Sequence, residues 1–173
     1  DDLVVGYDAQ YEKEQSEKFD VALHSLSLDS SAVVLDAGCG TGLLMERLAK
    51  TVRLVVGVDF SKTMVTRARE RLQLFLNALL VRADSDFLPL REDVFTHVFA
   101  ITLLQNMPNP RVTLRELTQV IGDWGFIVFT GLKKNFTLNE FRTLIKGSGL
   151  KQLSLGDKEE VKDYVAVCQR LRK

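Results

Sequence analysis

The sequence predicts an α/β fold: a doubly wound, mostly parallel sheet with helices on both faces. Three observations carry this. First, Val33-Val34-Leu35-Asp36-Ala37-Gly38-Cys39-Gly40-Thr41-Gly42 runs an apolar strand into an acid and then into glycines at alternate positions, and an amphipathic segment from Leu43 follows at once. Second, three successive apolar runs each finish in an acid, at Asp36, Asp59 and Asp84. In a parallel sheet those acids share one rim. Third, short apolar runs alternate with amphipathic stretches from Val33 nearly to the chain end.

Each element has its own signal. Ala9 to Leu26 (about 9–26) reads as a lead-in helix, with Tyr11, Gln15, Phe19, Ala22, Leu23 and Leu26 along one side. The first strand falls near Ala32 to Asp36 and its helix near Gly42 to Ala49. Leu54 to Asp59 is the second strand. Lys62 to Leu76 is the next helix, with Met64, Val65, Ala68, Leu72 and Phe75 at helical spacing and Ser61 as N-cap. The third strand is Ala78 to Arg82, and the fourth is Val94 to Ile101. A helix over Val112 to Ile121 precedes a turn at Gly122-Asp123 and a fifth strand from Trp124 to Thr130. Thr137 to Lys146 forms a helix that Gly147 or Gly149 ends. Two last strands, near Leu150 to Leu155 and Asp163 to Gln169, form a hairpin-like pair. No repeat, linker or low-complexity tract interrupts the pattern, so residues 1–173 read as one domain with no separate substrate domain.

Composition narrows the class. At 173 residues, 46% hydrophobic and 27% charged, the chain is an ordinary globular domain with room for a core. No apolar run approaches the roughly 18 residues of a membrane span, and no signal-peptide pattern opens the sequence. Cys39 and Cys168 show neither paired nor metal-ligand spacing. A cytoplasmic, reduced protein without a metal is expected. The formal net charge is zero, which is unlike a protein that grips nucleic acid alone. Arg67 to Arg71 and Lys133-Lys134 read as a solvated helix face and a loop.

The glycine loop raises the question of its ligand. The dinucleotide fingerprint G-x-G-x-x-G/A would need a small residue at position 43, which is Leu43, and no Gly-Lys-Ser or Gly-Lys-Thr marks a P-loop. A phosphate cradle favours positive surroundings, yet this loop opens with Asp36, which suits a cation. S-adenosylmethionine carries a sulfonium and an ammonium and no phosphate. Asp59 lies nineteen residues beyond Gly40, close to the roughly 20 expected of a ribose-binding acid.

On these residues the chain resembles a class I S-adenosylmethionine-dependent methyltransferase, and is most similar to the small quinone-biosynthesis type. VVLDAGCGTGLL, VVGVDFSKTMVTRAR, VRADSDFLPLREDVF and FTLNEFRTLIKGSGLKQLSL carry the likeness. The resemblance implies the strand order 3-2-1-4-5-7-6, with the last strand antiparallel. It also implies a cofactor set of Tyr7, Asp36, Gly38, Cys39, Gly40, Asp59, Phe60, Asp84, Ser85 and Ile101. In that set Asp36 faces the methionine ammonium, Asp59 the ribose and Phe60 the adenine face. Asp84 and the Ser85 amide meet the adenine edge, Ile101 lies over the glycine loop, and Tyr7 closes over the methionine end. Phe95-Thr96 stands where the family commonly has Phe-Asp. Asn106-Met107-Pro108 departs from the Asn/Asp-Pro-Pro-Tyr motif of enzymes that methylate amino groups of bases or glutamine, which disfavours that chemistry.

The expected reaction is methyl transfer by in-line displacement, which asks the protein mainly to position two reactants. No catalytic base stands out. Tyr11, Thr102, Gln105 and Asn106 are substrate-side candidates by topology. His97 reads as a core residue, His24 as a boundary residue, and Cys39 as a loop residue rather than a nucleophile. The third strand, Ala78-Leu79-Leu80-Val81, should form a sheet edge, and it carries no charge before Arg82. Some relatives of the resembled family that act on tRNA or translation factors are bound at this edge by a small activator that adds a strand. The alternatives are therefore a methyltransferase of tRNA or a protein factor that needs a partner, and a non-catalytic cofactor-binding subunit.

Overall fold

A computed structural model of the chain describes residues 19–20, 26, 28–157 and 161–172. The alternation seen in the sequence folds as β1 (Val33–Ala37), α1 (Leu43–Leu48), β2 (Leu54–Asp59), α2 (Lys62–Leu72), β3 (Ala78–Arg82) and β4 (Phe95–Ala100). A short 3-10 turn (Leu104–Asn106), α3 (Pro110–Val120), β5 (Ile121–Leu132), α4 (Leu138–Gly147), β6 (Lys151–Gly156) and β7 (Asp163–Gln169) complete it. The seven strands lie in the order β3-β2-β1-β4-β5-β7-β6, as expected. β1 to β5 pair in parallel, and β7 runs antiparallel to both β5 and β6.

Strand side chains alternate between the faces, and helices cover both. Val33 and Leu35 of β1 pack with Leu114 and Leu117 of α3 and with Phe141 and Ile145 of α4. Val34 of β1 and Val55 of β2 pack on the other side with Leu44, Met45 and Leu48 of α1 and with Ala68 and Leu72 of α2. Every β1 residue is buried, as befits the centre of such a sheet. The chain builds outward from β1 to β3 and then returns to place β4 on the other side of β1. That reversal opens a crevice beyond the carboxyl ends of β1 and β4. Thr96, which replaces the acid common in the resembled family, holds the bottom of this seam. Its Oγ1 accepts from the Val33 amide and donates to the Val33 carbonyl, each at 3.1 Å.

Three boundaries differ from the sequence reading. The second helix stops at Leu72 rather than Leu76. The Asn77 amide donates at 2.9 Å to the carbonyls of both Ala49 and Val52, so the chain must leave the helix early to reach that clamp. The third helix begins at Pro110, not Val112, because Asn109 caps it and proline suits the first helical position. The expected turn at Gly122-Asp123 lies within β5, which starts at Ile121. Phe95 pairs with Ile121 but His97 with Phe126, so the intervening β5 residues bulge out of register. Trp124 sits in that bulge at φ +63°, its N–H donating to the Arg170 carbonyl at 3.0 Å. Of the expected lead-in helix, residues 19–20 are described and helical, and most of the rest lies outside the described residues, as do Tyr7, Tyr11 and His24. Among the described residues, no helix is long and apolar enough to cross a membrane.

Candidate functional site

The site begins where β1 ends. Gly38, Gly40 and Gly42 all adopt positive φ, at +75°, +54° and +79°. This left-handed backbone strains other residues, and it takes the chain from strand to helix in five residues. At Gly38 space also matters, since an added Cβ would lie 3.0 Å from Leu103 Cδ1. The loop is tied down to β2. The Gly38 and Cys39 amides donate to the Val58 carbonyl at 2.8 and 3.0 Å. The Gly40 amide donates to Asp59 Oδ2 at 2.9 Å, and the Ser61 amide donates to Asp59 Oδ1 at 2.8 Å. Arg71 of α2 braces the loop from behind, with Nε 3.1 Å from the Thr41 carbonyl and Nη1 3.1 Å from Glu46 of α1.

A cleft of about 460 Å³ lies over this loop. Gly38, Gly40, Asp59, Phe60, Asp84, Ser85, Ile101, Thr102 and Asn106 line it, all of them expected from the sequence. Asp36 and Cys39 line a smaller adjoining cavity of about 50 Å³, which shares Gly38, Gly40 and Ile101 with the larger one. Gln105 lines neither. Sequence reasoning missed Met64, Leu103, Met107 and Pro108, which form apolar walls. They hold no chemical motif. Leu103 could have been found only through its fit against the Cβ-less Gly38.

The electrostatics have one sign. Asp36, Asp59 and Asp84 sit together at the strand ends, and among the described residues no lysine, arginine or histidine lines either cavity. Asp36 is 3% exposed. Burial, and then the charge of Asp59, push its carboxyl up to about 7. Burial first, then Asp36 and Asp59, push the Cys39 thiol far above its ordinary value, which favours the protonated thiol near neutrality. His97 is buried in β4, stacked on Phe126 and bonded through Nδ1 to Thr96, which makes it a core residue. Among the described residues no cluster could hold a metal ion.

The wall beyond β4 is strained. Thr102, a β-branched residue, has φ +60°. Its amide donates to Thr130 Oγ1 at 2.8 Å, and its carbonyl accepts from Asn106 Nδ2 at 2.9 Å. Such a conformation costs about 1–3 kcal/mol and persists only where the surroundings hold it.

This geometry has known counterparts. The family model described as "Methyltransferase domain" matches residues 35–129. The chain is 33% identical over 104 residues to a ubiquinone biosynthesis O-methyltransferase of Coxiella burnetii (strain Dugway 5J108-111), covering 60% of this chain and 44% of that protein. It is 32% identical over 148 residues to a malonyl-[acyl-carrier protein] O-methyltransferase of Marinomonas sp. (strain MWYL1), covering 83% of this chain and 51% of that one. The chain thus spans about half the length of the curated relatives it matches. Among solved structures it superposes, with a TM-score of 0.84 and 17% identity, on a chain of the complex between the Haloferax volcanii Trm112 methyltransferase activator and a methyltransferase, covering 96% of this chain and 95% of that one. The family match takes in more than half of the sequence, and the chain belongs to the class I, S-adenosylmethionine-dependent methyltransferases.

Proposed function

We propose that this chain transfers a methyl group from S-adenosylmethionine to an acceptor by in-line displacement. The observation that carries the reading is the lining of the two adjoining cavities: three carboxylates and a glycine loop, without a cation among the described residues. The residues fit this cofactor. A buried carboxyl with no cationic neighbour among the described residues suits an ammonium. At Gly40 an added Cβ would meet only open space, so the backbone there presents itself to a ligand. When bound, S-adenosylmethionine supplies a sulfonium methyl, with a neutral thioether as leaving group.

The chain's own residues position the reactants. Asp36 would hold the ammonium and Asp59 the ribose hydroxyls, with the Gly40 and Ser61 amides keeping the Asp59 carboxylate in place. Phe60 would cover the adenine, while Asp84 and the Ser85 amide address its edge. Ile101 closes the loop side, and Tyr7 is assigned to the methionine end. Thr102 and Asn106 stand on the acceptor side, with Tyr11 and Gln105 as further candidates. The described lining offers no histidine or lysine to take a proton. An acceptor hydroxyl must then arrive ionised or release its proton to water or a carboxylate. The relatives named as O-methyltransferases support oxygen as the acceptor atom. Calorimetry with S-adenosylmethionine and its demethylated product, followed by radiolabel transfer into fractionated cell extract, tests the proposal. Absence of binding by both compounds would sink it.

A second reading, in which an activating partner is required, has its own support. β3 is one of the two edge strands of the described sheet, β6 being the other. Around it Leu74, Leu76 and Leu79 are 86%, 99% and 51% exposed. Such an edge accepts an added strand, and the Haloferax neighbour comes from a complex with an activator. The exposed apolar residue of β3 is Leu79, while Leu80 packs against the core.

A further inference from the structure

A second cleft, of about 360 Å³, runs along α3 beside the end of α4 and shares no lining residue with the acid-lined pocket. Its chemistry is the opposite. Arg111, Arg115 and Arg170 line it with Thr118, Gln119 and Ser148, and among the described residues no acidic side chain does. In a chain of zero net charge this is a local concentration of cations.

Arg111 and Arg115 are exposed and stand one turn apart on α3, so their side chains leave the helix about 6 Å from one another. Like charges at that spacing repel. Neither has an ion-pair partner among the described residues. Arg170 lies just beyond β7 and is 5% exposed. Its Nη1 donates to the carbonyls of Thr118, at 3.1 Å, and Ile121, and forms an ion pair with Asp93 at 2.5 Å. Its Nη2 is buried without an acceptor among the described residues. Asp93 therefore answers one of three charges. Among the described residues two guanidiniums stay unmatched, and a buried N–H lacks the partner that such groups nearly always have.

We propose that this cleft binds a phosphate group. Guanidinium forks match phosphate oxygens two at a time. A phosphate with up to two negative charges answers two unpaired arginines one turn apart, where a single carboxylate answers one. The volume is of small-molecule scale. The phosphate belongs either to a free phosphorylated molecule or to a polynucleotide backbone. The chain passes from one cavity to the other within three residues, since Pro108, just before α3, lines the acid-lined one and Arg111, at the start of α3, the other.

The test uses the full chain at low salt. Calorimetry with sodium pyrophosphate is run on the wild type and on the double variant Arg111→Ala, Arg115→Ala. Both positions are exposed, so circular dichroism should show the fold retained. Pyrophosphate is expected to bind the wild type and to bind the variant at least about tenfold more weakly, with S-adenosylmethionine affinity unchanged in both. No pyrophosphate binding, or equal binding to both proteins, overturns the proposal whatever the outcome with the cofactor. A labelled single-stranded RNA decamer identifies the source. Arginine-dependent and salt-sensitive RNA binding assigns the phosphate to a backbone, and pyrophosphate binding alone assigns it to a free ligand. A poly-glutamate peptide that binds as tightly as pyrophosphate, with the same arginine dependence, overturns the choice of phosphate.

Discussion

The Asp59 carboxylate and the Gly40 amide meet at 2.9 Å across nineteen residues of chain. One acid thereby does two things. It fixes the glycine loop against the end of β2, and it presents its remaining lone pairs to the pocket. Asp59→Ala should weaken S-adenosylmethionine binding by about 1–3 kcal/mol, because two amides and the ligand hydroxyls lose a charged acceptor. It should lower the melting temperature as well. Calorimetry and thermal denaturation read the two effects separately, and an unchanged affinity would remove Asp59 from the cofactor site.

Asp36 makes the protein pH-sensitive in a defined direction. Its carboxyl is raised from 3.8 to about 7 in the folded state. The native state therefore binds more protons than the unfolded one between those values. The resulting stabilisation is complete below 3.8 and is lost as pH rises through about 7. The free protein's melting temperature should fall over this window, and Asp36→Asn should flatten the fall. A bound cation favours the ionised form, so cofactor binding at about pH 6 should release a proton. Calorimetry in two buffers of different ionisation enthalpy measures that proton. Its presence in Asp36→Asn would assign it elsewhere.

Thr130 supports the strained wall from behind. It is fully buried, and its hydroxyl accepts the Thr102 amide at 2.8 Å. Thr130→Val keeps the shape and removes the acceptor, which should destabilise the fold by about 1–3 kcal/mol. Thr130→Ser should restore most of the loss. If Thr102 positions the acceptor, the valine variant should also reduce turnover more than cofactor affinity, a split that stability alone does not produce.

The β3 edge predicts behaviour in solution. Expressed alone, the chain should self-associate or precipitate through Leu74, Leu76 and Leu79, and Leu79→Lys should make it more soluble. Light scattering on both proteins reads this. A wild-type chain that is a stable monomer and methylates an acceptor unaided would remove the need for a partner.

Much of this protein was legible in the linear chain. β1, the glycine loop and β2 were readable because each rests on neighbours in sequence: an apolar run, an acid at its end, and glycines where the backbone must turn. The rim of Asp36, Asp59 and Asp84 followed, since parallel strands finish at the same edge. Patterns two to four residues long, however, could not separate a turn from a bulge. Gly122-Asp123 looks like a turn locally, and only pairing with β4 and the hold of Arg170 on Trp124 keeps it inside β5. The Asn109-Pro110 helix start, by contrast, is a local signal that the sequence itself carries.

Long-range packing decided the rest. Whether Asp59 reaches Gly40, whether Thr130 supports Thr102, and which apolar residues wall the cleft depend on how separate elements dock. No spacing along the chain encodes those distances. Burial had to be known before Asp36 could be read as a carboxyl half-ionised near neutrality, because its shift comes from desolvation that the surrounding sheet and helices impose. The arginine cleft is the same case. Arg111, Arg115 and Arg170 are scattered through an electrically neutral sequence, and only the docking of α3 beside β7 and α4 brings them to one place, where their charges add.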